Sequence, residues 1–462
     1  MVNKKRVNLP RVLIAGLSSG CGKTTVSSGI MAALRHTGLK VQGYKVGPDY
    51  IDPGYHTLAT GRPSRNLDSW MLSHETVREL FMRSSGSSDI AVIEGVMGLF
   101  DGHSGADDRG SSAEVAKILK TPVILVLDIA RQSRSAAASV LGCLHFDPAL
   151  DIKGVILNNA GSERHWQWVK EAVEQNTGVP VLGHLPRSGE LKLPERHLGL
   201  VPVAEEQELE NILHRIREKI SACVDVDRVR EIASAAPLLP AVKPGVFPSK
   251  PVSVRTKIGV AMDEAFSFYY RDNLDLLEAH GAELAAFSPL RDENLPAGVQ
   301  GLYFGGGFPE LYAGQLSKNE LMRRCVKQAG LNGMAVYAEC GGLMYLAGGL
   351  TDFQGNKHPM VGLVPGWSEI AGGRLRLAYV SIEGQPGNPL VNSNDVIRGH
   401  EFHYSSLVQP DPTARSAWKV LEPDARAEGY LVQRTIASYI HLHFATHHAI
   451  ASNFVSWCAG NR

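Results

Sequence analysis

The run Val12-Leu-Ile-Ala-Gly-Leu-Ser-Ser-Gly-Cys-Gly-Lys-Thr-Thr25 limits the fold of this chain more than any other stretch. An apolar strand feeds a glycine-rich turn, and Lys-Thr opens a helix. That order presents backbone amides at a helix start, where they can surround phosphate oxygens. Gly20 and Gly22 keep the turn free of bulk, Lys23 can reach the outer phosphates, Thr24 can ligate magnesium, and Thr25 follows on the same turn. The strict form of the loop has glycine at position 17; here Leu17 stands there and Gly16 lies one place earlier, so the loop is a longer variant. Short apolar runs at 12–17, 41–46, 90–95, 122–129, 152–158 and 180–185 alternate with helical patterns, which predicts a mostly parallel, doubly wound α/β sheet around the loop.

A chain of 462 residues exceeds what one core usually needs. Prolines crowd the stretch 222–256 and remove backbone donors, so three segments are expected: a nucleotide- and substrate-binding domain over 1–221, a linker over 222–256 and a second α/β domain over 257–462. The second domain opens on Lys257-Ile-Gly-Val-Ala-Met262, with further strands at 301–304 and 335–338. The 47 basic and 47 acidic residues cancel without long runs of one sign, which argues against a nucleic-acid stripe or an anionic membrane surface. No apolar run approaches a bilayer span. The basic N-terminus, 1–6, runs straight into a strand pattern without a secretory h-region, so the expected compartment is the cytoplasm. Six well-separated cysteines show neither disulfide nor zinc spacing, and any sulfur chemistry rests on one thiol.

Carboxylates are expected at strand ends, where open α/β sheets bind ligands. Tyr44-Lys-Val-Gly-Pro-Asp-Tyr-Ile-Asp-Pro53 offers Lys45, Asp49 and Asp52; Ile93-Glu-Gly-Val-Met-Gly-Leu-Phe-Asp-Gly102 offers Glu94 and Asp101. Magnesium bound to phosphates needs one or two carboxylates, and Thr24, Asp49 and Glu94 are the chosen set. Lys45 and Asp101 are assigned to substrate or phosphate, and Asp52 is read as a turn former.

Ala335-Val-Tyr-Ala-Glu-Cys-Gly-Gly-Leu-Met-Tyr-Leu346 reads as a strand, a sharp turn at Cys340 and a helix start, the form of a nucleophile elbow. A helix start and a nearby imidazole favour the thiolate. Ala437-Ser-Tyr-Ile-His-Leu-His-Phe444 supplies His441 as the base, with His443 two residues on and on the same strand face. His400 and His403, in Arg398-Gly-His-Glu-Phe-His-Tyr404, read as a substrate-side or structural turn. Gly305-Gly-Gly-Phe-Pro-Glu310 can present amides to an oxyanion, with Gly306 and Gly307 as candidates and Gly341 as a further donor.

Together, Lys45-Val-Gly-Pro-Asp-Tyr-Ile-Asp-Pro53, Arg65-Asn-Leu-Asp-Ser69, Glu94-Gly-Val-Met-Gly-Leu-Phe-Asp101, the Cys340 elbow and His441-Leu-His-Phe444 resemble the cobyrinic acid a,c-diamide synthases over nearly the whole chain. The N-terminal half also resembles dethiobiotin synthetase-type phosphate-loop enzymes, and the C-terminal half class I glutamine amidotransferases of the cobyric acid synthase branch. The resemblance implies a ligase that hydrolyses L-glutamine at Cys340 through a thioester and passes ammonia internally to the first domain. There ATP and Mg2+ convert the a and c acetate carboxylates of a tetrapyrrole to acyl phosphates, which ammonia displaces. It leaves open cobyrinic acid, hydrogenobyrinic acid or nickel sirohydrochlorin as substrate, and allows a homodimer. Where many class I glutaminases carry glutamate two residues after the histidine, this chain has His443, so the residue that orients His441 is left open. Two rival readings use the same parts: a phosphate-loop ATPase switch with a degenerate second domain, disfavoured by Ser18 where such loops carry lysine, and a carboxylate ligase that uses free ammonium.

Overall fold

The computed structural model describes residues 6–191, 193–196, 199–200, 208–370, 375–408 and 414–460; the N-terminal residues 1–5 read above lie outside them. The chain divides into two compact units, Met1–Lys243 and Pro244–Arg462.

In the first unit, β1 (Arg11–Gly16), β2 (Val41–Val46), β3 (Arg65–Leu67), β4 (Ile90–Glu94), β5 (Val123–Asp128), β6 (Ile152–Ala160) and β7 (Val181–Pro186) form a seven-stranded sheet in the order β3-β2-β4-β1-β5-β6-β7. Every pair in it is parallel. Six strands fall where the apolar runs predict them; β3 adds a seventh that is too short and polar to read from pattern. The run Val123-Ile-Leu-Val-Leu127 is buried throughout, as a parallel sheet covered on both faces requires. Each such side chain contributes about 1.5–3 kcal/mol of burial. Strand order reverses around β1, so the turns leaving β1, β2 and β4 meet at one edge, the crevice in which such sheets hold ligands. Helix α1 (Lys23–His36) leaves the turn after β1, and α2 (Asp52–Thr60) follows β2.

The expected boundary at 221/222 lies inside this unit. Helix α3 (Leu209–Cys223) packs on α1, and the supposed linker begins with α4 (Val226–Ser234), which buries Val229, Ile232 and Ala233 at helical spacing. Arg11, fully buried on β1, donates to the carbonyls of Leu119 and Pro237 and so ties the segment after α4 back to the sheet. Apolar periodicity, not proline content, decides where these residues fold.

In the second unit, β8 (Thr256–Ala261), β9 (Ala282–Phe287), β10 (Gly301–Phe304), β11 (Ala335–Glu339), β16 (Tyr430–Val432) and β17 (Thr435–Ser438) form a six-stranded sheet ordered β9-β8-β10-β11-β17-β16, parallel except for the last pair. Beside it lies an antiparallel sheet of β12 (Arg376–Gly384), β13 (Val396–His403), β14 (Trp418–Glu422), β15 (Arg426–Glu428) and β18 (Ile440–His441), ordered β15-β14-β12-β13-β18. The expected turn at His400 and His403 is therefore strand β13, in which His400 stands directly opposite His441. Its alternation reads weakly because Gly399 and Glu401 interrupt the apolar pattern. Among the described residues no helix is long and apolar enough to cross a membrane.

Candidate functional site

Two clusters hold the residues singled out above. In the first unit the loop after β1 turns at Gly20 and Gly22, whose φ angles are 74° and 94°. Gly22 is the N-cap of α1 and offers no side-chain cap, which leaves the first-turn amides for an anion. A Cβ on Gly22 would lie 2.1 Å from Nδ2 of Asn158, which itself donates to the Cys21 carbonyl at 2.9 Å. Asn158, at the end of β6, thus braces the loop; nothing in the sequence pattern pointed to it. Substituting Gly22→Ala is expected to cost about 1–3 kcal/mol through backbone strain and this clash. It should also raise KM for ATP, while glutamate release from glutamine is unchanged; thermal melting and steady-state kinetics check both. Lys23 Nζ donates to the Ser18 carbonyl at 2.8 Å, and burial depresses its pKa. Thr25 occupies the following position of α1, half-buried.

Beside the loop, Glu94 is fully buried at the end of β4 and is the hub of the cluster. Its Oε1 accepts from Thr24 Oγ1 at 2.7 Å and Lys45 Nζ at 2.8 Å, and its Oε2 lies 2.7 Å from His56 Nε2. Lys45 and Glu94 are cross-strand partners on β2 and β4, so the sheet register itself makes this contact. Asp52 completes the group, 2.5 Å from Lys45 and 3.4 Å from Thr24. Burial alone would raise the Glu94 carboxyl, but Lys45 and His56 outweigh it and hold the group well below the usual range. Asp52 goes the other way, raised by burial and by neighbouring Asp49. Lys45 is held above its ordinary value, burial being outweighed by its partners Asp52 and Glu94.

The two aspartates make different contacts from those expected. Oδ1 of Asp49 accepts from the amides of Ile51 and Asp52 and so starts α2, whereas Asp52, expected to shape a turn, reaches Thr24 and Lys45. The reason is local: an Asx-type cap needs its acceptor two or three residues before the amides it receives. Asp101 closes its own exposed turn, accepting from the Gly98 amide at 2.8 Å. His56, one turn into α2, is a further member of the group. Two carboxylates and a hydroxyl converging beside amides free for phosphate make a donor set that fits a hard cation sharing its shell with phosphate oxygens. Among the described residues no three His, Cys, Asp or Glu side chains form a metal cage by themselves.

In the second unit β11 ends at Glu339, and Cys340 follows with φ 47° and ψ −102°, a strained conformation for a residue other than glycine. The turn needs close backbone approach: a Cβ on Gly342 would lie 2.7 Å from the Phe304 carbonyl oxygen, and the Gly342 amide donates to Gly305. Gly341 abuts the Gly307 amide nitrogen, 3.1 Å from where its Cβ would stand, and a Cβ on Gly306 would lie 2.5 Å from Cε1 of His441. The Gly305-Gly-Gly307 loop thus lies against Gly341 on one side and His441 on the other. The thiol lies 3.7 Å from the Phe402 carbonyl at the end of β13. Burial, with Glu310 adding to it, pushes the thiol pKa up, and burial beside His400 and His403 pushes His441 well below the ordinary imidazole value. Burial thus favours the uncharged form of both groups.

His441 and His443 do not share a strand face. β18 ends at His441; His443 caps the short turn that follows, its Nδ1 accepting from the Ala445 amide, with its ring against Tyr270. His441 stacks on His400, with centroids 4.8 Å apart and planes 5° from parallel, and His400 Nε2 is 2.8 Å from Tyr270 Oη. Glu401, beside His400, is held down to about 2, burial being outweighed by His403, Arg426 and Arg376.

Comparison with known proteins matches each unit to a described domain. Residues 12–201 match the CobQ/CobB/MinD/ParA nucleotide binding domain, and residues 257–449 match the CobB/CobQ-like glutamine amidotransferase domain. A protein of Dehalococcoides mccartyi (strain CBDB1) named cobyrinate a,c-diamide synthase is 48% identical over 456 residues, covering 97% of this chain and 98% of the relative. A protein of that name from Priestia megaterium is 43% identical over 97% of both chains. A hydrogenobyrinate a,c-diamide synthase of Streptomyces coelicolor is also 43% identical, over 97% of this chain and 98% of its own.

Proposed function

Because the chain belongs to the cobyrinate a,c-diamide synthase family, we propose that it is a glutamine-hydrolysing ligase of cobalamin biosynthesis, working in the cytoplasm, that amidates the a and c acetate groups of cobyrinate. The observation that carries the reading is the strained Cys340 elbow, with the Gly307 amide at Gly341 and Gly306 against His441. Residues 1–221 would bind ATP and the macrocycle, and 257–462 would hydrolyse glutamine.

Cys340 Sγ attacks the amide carbon of glutamine while His441 takes the thiol proton. The amides of Gly306, Gly307 and Gly341 face the developing oxyanion, where a preorganised donor is worth about 3–4 kcal/mol. Collapse of the adduct releases ammonia, with His441 returning the proton, and water then cleaves the thioester to glutamate. In the first unit the amides after Gly20 and Gly22, with Lys23, receive the phosphates of ATP. Thr24, Glu94 and Asp52 would hold Mg2+, with Asp49 adjoining; the ion supplies positive charge to the phosphoryl oxygens. Lys45 balances the two carboxylates, and Asp101 shapes the rim beside the loop. A substrate carboxylate oxygen takes the terminal phosphoryl group from ATP, ADP departs, ammonia attacks the acyl phosphate carbon and phosphate leaves.

The relatives carry two macrocycle names, so the test runs cobyrinic acid, hydrogenobyrinic acid and nickel sirohydrochlorin in parallel with ATP, Mg2+ and glutamine. Two successive carboxylate-to-amide mass changes are expected on cobyrinic acid. Reaction of only one of the other two would reassign the substrate, and no product on any would sink the reading.

A further inference from the structure

The partner that orients His441 is not where the glutaminase pattern looks for it, because His443 caps a turn instead. Backbone pairing does not fix His441 against the thiol either. β17 runs beside β11 only as far as Ser438, opposite Glu339, and the Cys340 amide donates to the Ser438 carbonyl. The chain then leaves this sheet, and His441 pairs with His400 in the antiparallel sheet. Nucleophile and base thus sit on two different sheets of one unit.

Glu339 spans the gap. It directly precedes Cys340 and is 1% exposed. Its Oε1 accepts from the Leu442 amide at 3.1 Å, adjacent in sequence to His441, and from Tyr337 Oη at 2.7 Å; its Oε2 accepts from Tyr303 Oη at 3.2 Å. A fully buried carboxyl in an aromatic surround is costly unless its acceptors are used, and here all three donors come from the elements that frame the elbow and the base. We infer that Glu339 is a positioning residue for glutamine hydrolysis, its carboxyl clamping the segment of His441 to the strand that carries Cys340. The inference rests on reading Cys340 and His441 as the hydrolytic pair.

The role is that of an acceptor at fixed reach, which separates two conservative changes. Glu339→Gln keeps the length and an oxygen for Tyr337 and the Leu442 amide, while its amide nitrogen can donate to Tyr303. Glu339→Asp keeps the acid but is shorter by one methylene and cannot serve both sides. Glutamate release by the full-length protein, with KM for glutamine measured alongside, is the readout. E339D is expected to lose about 100-fold in kcat, the effect of an ångström-scale misplacement, with KM unchanged, and E339Q to stay near the parent chain. E339D at the parent rate, E339Q losing as much as E339D, or an effect confined to KM would each overturn the inference. Cys340→Ser run in parallel separates the two levels: glutamate release persisting in C340S would bring down the hydrolytic reading together with this inference. Release abolished in C340S but intact in E339D removes the inference alone.

Discussion

Replacing Cys340 by serine is expected to lower glutamine-dependent amidation by at least on the order of 10³-fold, while amidation driven by ammonium chloride continues at the parent rate. The physical reason lies in the resting charge state. Burial lifts the thiol and depresses His441, so in the proposed mechanism the base that accepts the proton is a weak one. A thiol can still give up its proton to such a base as the oxyanion forms at the proposed Gly306, Gly307 and Gly341 amides; a hydroxyl, much less acidic, cannot. The first unit has its own sheet and core and does not need the thiol. Product mass with each nitrogen source checks the split, and glutamine use unchanged in C340S would refute the site assignment.

Glu94→Gln is expected to have the second large effect, on the other half of the reaction. The Glu94 carboxylate receives Lys45, Thr24 and His56 with no exposed surface. A glutamine amide would set its own donor against one of these donors and leave Lys45 balanced by Asp52 alone. Removing one partner of a buried pair costs about 3–5 kcal/mol. With Glu94 in the proposed magnesium-holding role, its loss should lower ATP-driven amidation by about 10²–10³-fold, with glutamate release retained. The pH dependence has a definite sign. The carboxyl is held below its ordinary value of 4.5, so its contribution is fully present above that value and is lost as pH falls through it toward the folded pKa. Thermal melts should show the parent protein losing stability on acidification with a steeper slope than E94Q; parallel slopes would mean that Glu94 is not held by its partners.

Where chemistry was carried by adjacent residues, the sequence was readable. The phosphate loop, the Cys340 elbow and the glycines at 305–307 are contiguous motifs, because each depends on backbone conformations that neighbouring residues must supply, and the glycines and small residues show it. The parallel strands were equally plain, since burial on both faces leaves unbroken apolar runs. The contacts of Asp49 and Asp52 are not legible because both lie in one turn, and composition cannot tell which carboxylate accepts from the amides that open α2 and which reaches Lys45. His56, Asn158 and Glu339 left no local signal at all; each acquires its place from a strand or helix brought alongside from elsewhere.

The sequence alone therefore determined the two α/β units, the glycine-rich turn at the start of α1 and the sharp turn at Cys340, all set by short-range periodicity and turn chemistry. Tertiary structure alone decided three things: where the first unit ends, which carboxylates meet Thr24, and how His441 is held. Each of these depends on register and packing between segments tens to hundreds of residues apart. His400 stands opposite His441 only because β13 and β18 pair, and Glu339 reaches Leu442 only because β17 ends at Ser438. Contacts of that range are fixed by the burial of whole sheets, which no window of neighbouring residues contains.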